Sequence, residues 1–70
     1  MINKKLLLYK IAEKGHTVKE ISVDIGVNPS TFYRKIEKNT FTCAEVTGIA
    51  KNLSLTAQEI MDIFFANRVA

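Results

Sequence analysis

The sequence predicts an all-α fold, five short helices in a single domain spanning residues 1–70, on three observations. The pattern Thr-x-x-Glu occurs three times, as Thr17 with Glu20, Thr42 with Glu45, and Thr56 with Glu59. In each, the threonine hydroxyl can accept from the glutamate backbone N–H while the glutamate side chain reaches back to the threonine N–H. Gly15, Gly26 and Pro29 stand where helices should stop and start. No window shows the sustained apolar–polar alternation of a half-buried strand.

The elements follow in order. The first helix is expected from about Asn3 to Lys14, with Leu7, Leu8, Ile11 and Ala12 as its apolar stripe and Gly15 as the left-handed residue behind it. The second, from about Val18 to Ile25, should bury Val18, Ile21 and Ile25; its small Ser22 would let another helix approach closely. After Gly26-Val27-Asn28 comes Pro29, at the first position of a third helix, where a missing N–H costs nothing. Asn28 is its natural N-cap. This helix, about 29–38, buries Phe32 and Ile36. A fourth runs from Cys43 to about Asn52 with Val46, Ile49, Ala50 and Leu53 inward, and a fifth from Ala57 to about Asn67. Phe41 on Val46 and Leu55 on Ile60 are the expected hydrophobic staples of these last two.

Composition narrows the function classes. A chain of 70 residues with 47% hydrophobic content has enough apolar side chains for one core and reads as folded rather than disordered. Nothing approaches the roughly 18 uninterrupted apolar residues of a membrane span. The opening Met1 to Leu8 resembles a signal peptide only superficially, because its apolar run ends at Lys10. The expected location is therefore the cytoplasm. One cysteine, Cys43, leaves no disulfide framework and no cysteine-rich zinc site. It is expected to be a small buried or half-buried thiol, and the lone His16 to have a structural or solvent role. With no phosphate-cradling glycine loop, no nucleophile elbow and no paired carboxylates at active-site spacing, the sequence reads as a non-enzyme, without cofactor, metal or small-molecule substrate. Glu20, Glu45 and Glu59 are accounted for as caps.

Charge is unevenly placed. Residues 1–38 carry eight Lys/Arg against four Asp/Glu, whereas residues 39–70 carry two against three, which gives +4 and −1 and together the net +3. A basic half joined to a near-neutral half suggests one face for polyanions and another for protein.

The segment from Thr17 to Glu37 carries the functional reading. It holds two short helices joined through Gly26, whose freedom at positive φ lets the chain reverse in little space. Val27 would plug the angle between them, and Ile21, Ile25, Phe32 and Ile36 would hold the pair crossed at roughly 90–120°. That geometry leaves Asn28, Ser30, Thr31, Tyr33, Arg34, Lys35 and Lys38 unburied, with only Glu37 opposing in charge. Hydrogen-bonding groups at a helix N-terminus, followed by bases, suit a helix entering a major groove.

On Ile21, Ser22, Ile25, Gly26, Val27, Phe32 and Ile36, the chain resembles the Cro/CI (lambda-repressor-like) class of phage and prophage regulators over about residues 3–66. The resemblance implies a five-helix domain with a helix-turn-helix on helices two and three. It implies base reading by Asn28, Pro29, Ser30, Tyr33 and Arg34, and phosphate contacts by Thr17, Lys19, Thr31, Lys35 and Lys38. Pro29 departs from the glutamine or other donor common in relatives and could offer only an apolar contact, such as to a thymine methyl. For Arg34 the competing reading is a solvated surface arginine, for Tyr33 a ring packed on the domain, and for Lys35 and Lys38 a merely solubilising face.

In the fifth helix Ile60, Met61, Ile63, Phe64 and Phe65 sweep roughly 200° at 100° per residue, wider than the roughly 100° stripe that one core needs. Met61 with Phe65, or else Ile63, is therefore the expected contact with a second copy or another protein. The implied partners are an operator in duplex DNA, a second copy in a homodimer, and a second phage repressor protein in the alternative reading. In that alternative the fold is kept but grips another regulator in an antirepressor-like role; a recombination accessory factor that bends DNA is a more distant one.

Overall fold

Every helix begins on a side-chain cap. The computed structural model describes residues 1–65. They form α1 (Lys4–Glu13), α2 (Val18–Asp24), α3 (Pro29–Lys38), α4 (Cys43–Leu53) and α5 (Ala57–Phe64), with no strand among the described residues. The fold is all-α. Asn3 Oδ1 accepts the Leu6 N–H at 3.1 Å and Asn28 Oδ1 accepts the Thr31 N–H at 2.8 Å. All three expected capping boxes close in both directions. The Thr17, Thr42 and Thr56 hydroxyls accept at 3.2, 3.1 and 3.1 Å, and the returning Glu20, Glu45 and Glu59 carboxylates accept at 2.8, 2.9 and 2.8 Å. Each cap contributes about 1 kcal/mol by satisfying helix-end N–H groups.

The helix ends are as regular as the starts. At the end of α1, His16 N–H donates to Ile11 O and Gly15 N–H to Ala12 O, both at 3.0 Å, with Gly15 at φ 81°. At the end of α2, Val27 N–H donates to Ser22 O at 2.9 Å and Gly26 N–H to Val23 O at 3.0 Å, with Gly26 at φ 83°. Both are Schellman motifs built on a left-handed glycine. The same pair of bonds ends α3 and α4, but there the left-handed residues are Asn39 (φ 56°) and Ser54 (φ 51°).

The core draws on every helix. Leu7 and Ile11 come from α1, Ile21 from α2, Phe32 and Ile36 from α3, Ile49 and Leu53 from α4, and Ile63 and Phe64 from α5. Val27 and both members of each expected staple are partly buried against it. An edge-to-face aromatic chain crosses the interior, Phe32 to Phe41 at 5.3 Å and Phe41 to Phe64 at 6.0 Å between ring centroids. α2 packs on α3 and α4, while α1 packs on α2 and α5. The radius of gyration, 11.0 Å, equals the about 11 Å of a compact folded chain of this length.

Several expectations need correction. The first and second helices are each trimmed at their margins, with Asn3 a cap rather than a helical residue and Lys14 and Ile25 just past the ends. Ala12 is exposed, and Val18 and Ile25 are half-buried, because the buried stripes are narrower than the apolar spacing suggests. α4 continues to Leu53 rather than Asn52. α5 stops at Phe64: Phe65, at φ −126° and ψ 34°, has left the helical region; Asn67, the expected end, lies outside the described residues. Cys43 is exposed, since Phe41 and Val46 supply the packing around the start of α4. Ile63 is fully buried and is withdrawn as an interface residue. The reason is Ile2, 6% exposed, whose neighbour Asn3 donates its N–H to Ile63 O at 2.7 Å. The N-terminal segment thus covers a side of α5 that one helical core would not.

Candidate nucleic-acid interface

The candidate interface is built on α3 and the turn before it. Pro29 presets the first φ of α3, Asn28 caps it, and Phe32 with Ile36 anchors it in the core. Set on a helical wheel of about 100° per residue, Ser30, Arg34, Glu37 and Lys38 lie within roughly a 100° arc facing away from Phe32 and Ile36. All four are exposed. Among the described residues, Arg34 and Lys38 form no ion pair or hydrogen bond, so their cationic groups are available to a ligand. Asn28 spends its Oδ1 on the cap, which leaves the two Nδ2 donors.

The remaining expected residues divide. Pro29 is half-buried at the start of α3 and Thr31 is half-buried rather than exposed. Tyr33 is 40% exposed. It meets Phe32 edge-on at 6.4 Å between centroids, so it packs on the domain and faces solvent at once. Thr17 and Lys19 are exposed at the start of α2. The Thr17 hydroxyl oxygen accepts from Glu20 while its proton can still be donated.

Lys35 does not join this surface freely. Its Nζ lies 3.3 Å from Glu45 Oε1 and its side chain is only 21% exposed, so it ties α3 to the start of α4. A phosphate contact by Lys35 would have to compete with this ion pair. The Thr42 N–H, helped by Lys35, holds the Glu45 carboxyl below its ordinary range. A second cross-link joins α1 to α5, where Lys10 Nζ lies 2.7 Å from Glu59 Oε2 and 3.1 Å from Glu13 Oε1. His16 Nδ1 lies 3.9 Å from Glu20 Oε1 at the start of α2.

One contact with α3 has no signal in the linear sequence. Lys4 Nζ, from α1, lies 3.5 Å from Glu37 Oε2 and 5.8 Å from the Tyr33 ring centroid. The whole of α2 and most of α1 lie between these residues in the chain, and only the packing of α1 brings them together.

Away from α3, Met61 and Phe65 are exposed by 47% and 38%. Phe65 also borders an open groove of about 540 Å³ walled by Met1, Ile2, Phe41, Val46 and Phe64. Among the described residues no helix is long and apolar enough to cross a membrane, and no three His, Cys, Asp or Glu gather as a metal site. Comparison of the chain with models of known protein families, with curated proteins and with solved structures finds no match.

Proposed function

We propose that this chain is a sequence-specific duplex-DNA-binding transcription regulator of the Cro or short-repressor type, with a lambda-repressor-like helix-turn-helix on α2 and α3. The observation that carries the reading is the outward arc of α3. It offers a hydroxyl (Ser30) and, without an ion pair among the described residues, a guanidinium (Arg34) and an ammonium (Lys38), with the Asn28 amide in the cap before it. That set supplies base-edge donors near the helix start and phosphate contacts further along, which is what a helix set into a major groove needs. Thr17 and Lys19 extend the phosphate-facing side onto α2. The protein acts in a bacterial cytoplasm at the nucleoid, without a cofactor, as part of a phage or prophage circuit. It binds as a homodimer on a pseudo-palindromic operator, with Met61 and Phe65 at the subunit contact, and represses by occluding polymerase.

Selection of binding sites from a random duplex pool tests this. The expected result is enrichment of one pseudo-palindrome with half-sites about 34 Å apart. Failure to enrich any sequence, with no duplex binding at low salt, overturns the reading.

The apolar groove beside Phe65 favours a second reading, in which the domain grips another phage regulator and modulates it. A chain that binds no duplex but forms a stoichiometric complex with a purified repressor would establish that alternative.

A further inference from the structure

We propose that Lys4, which lies outside the helix-turn-helix, belongs to the duplex-binding face as the counter-charge of Glu37; the inference rests on the DNA-binding reading of α3. Glu37 is the one carboxylate on the outward arc that carries Ser30, Arg34 and Lys38. A bare carboxylate there would face a phosphate backbone at short range and oppose its approach.

Among the described residues, one cation forms an ion pair with Glu37. Lys4 Nζ sits 3.5 Å from Glu37 Oε2 and above the Tyr33 ring, at 5.8 Å from the centroid. Tyr33 and Glu37 are four residues apart and so stack on one face of α3, with the ammonium over both. Arg34 and Lys38 make no ion pair among the described residues, and Lys35 is held by Glu45 at 3.3 Å.

The backbone beneath Lys4 is anchored, which sets where its half-exposed side chain starts. Asn3 caps α1 through its side chain, donates its N–H to Ile63 O at 2.7 Å, and follows the buried Ile2. Lys4 is the first residue of α1 and inherits that anchoring. It is a positioning residue: it acts on DNA through the charge it cancels.

The test uses the full chain and a non-specific duplex, so no operator need be known, with affinity measured across a salt series. Lys4→Ala should weaken binding about three- to fivefold at moderate salt and lower the slope of log K against log salt by about one. Glu37→Gln placed in the Lys4→Ala background should return both to wild type, and Lys4→Arg should leave both unchanged. Glu37→Gln alone, which leaves α1 intact, should bind about three- to fivefold tighter with a steeper slope. Lys51→Ala, which removes the same charge from α4, should have a much smaller effect. Wild-type chain that binds no duplex at low salt overturns the DNA reading and this inference together. Wild-type chain that binds, with Lys4→Ala unaltered, unrescued by Glu37→Gln, or matched by Lys51→Ala, overturns the role of Lys4 alone.

Discussion

Arg34 sits at the centre of the outward arc of α3, free of ion pairs among the described residues. Its planar fork suits the two acceptors of a guanine edge. Replacing it by alanine should therefore weaken binding to the selected operator by about 1–3 kcal/mol and relax preference at one base pair. Equal binding of the variant and the wild type, to operator and to random duplex alike, would remove Arg34 from the interface. Residue-scale physics also identifies a cheap gain in stability. Ser54 occupies a left-handed conformation at φ 51° where α1 and α2 use glycine. Its Cβ makes that conformation costly, roughly 1–2 kcal/mol for an L-residue, offset in part by the greater freedom glycine has when unfolded. Ser54→Gly should raise stability by about 0.5–1 kcal/mol, seen as a melting temperature higher by a few degrees. Asn39 sits in the same region but is among the residues that tolerate it best.

At the scale of elements, the capping carboxylates serve twice. Glu45 closes the box at the start of α4 and receives Lys35 from α3; Glu59 closes the box at the start of α5 and receives Lys10 from α1. A local signal for starting a helix thus also sets where that helix docks. Gly48 marks the other docking constraint. It lies mid-helix in α4, where glycine costs roughly 1 kcal/mol relative to alanine, yet a Cβ there would stand 3.1 Å from Ile25 Cγ2. The missing side chain lets α4 close on the end of α2, beside the turn into α3. Gly48→Val should destabilise by about 1–3 kcal/mol through overpacking, and chemical denaturation measures it. A neutral result would mean that Ile25, which is only half-buried, moves aside without cost.

At the scale of the whole molecule, a domain this small has little stability in reserve, and its helix-to-helix ion pairs make that stability sensitive to acid. Lys10, followed by the Thr56 N–H, holds the Glu59 carboxyl down to about 2 from an ordinary 4.5, and Glu59 with Glu13 pushes Lys10 up. A carboxyl whose folded-state value is depressed binds more protons when unfolded, so its contribution is present above about pH 4.5 and lost as the pH falls towards 2. The melting temperature should fall through that window. Glu59→Gln keeps the capping box, since glutamine caps as glutamate does, but removes the charge. The variant should melt lower than wild type at neutral pH and lose less on acidification. If the two proteins melt in parallel from pH 7 to 2, the Lys10–Glu59 pair is not a source of the acid sensitivity. The pH series reads the fold alone and needs no ligand.

The local rules were written in the chain: three Thr-x-x-Glu boxes, Asn28 before Pro29, and glycines behind the first two helices placed the elements to within a residue or two, except at the end of α5. Capping, turn formation and the 3.6-residue period act over four or five residues, so a linear reading can find them. The same locality put Ser30, Thr31, Tyr33, Arg34, Lys35 and Lys38 on the unburied side of α3, with Asn28 just before it; of these, Thr31 and Lys35 turn out half-buried. Contacts across the fold were beyond that reach. Lys35 looked as free as Lys38 until Glu45 arrived from the next helix, and Cys43 looked buried until Phe41 and Val46 took the packing. Ile63 looked surplus because nothing in the sequence says that Ile2 and Asn3 return to cover α5. Lys4 gained its place beside Glu37 only when α1 docked against the rest. Short-range hydrogen bonding and side-chain periodicity determined the helices, whereas the pairing of distant charges and the covering of apolar faces depend on how those helices pack, which no short window of sequence contains.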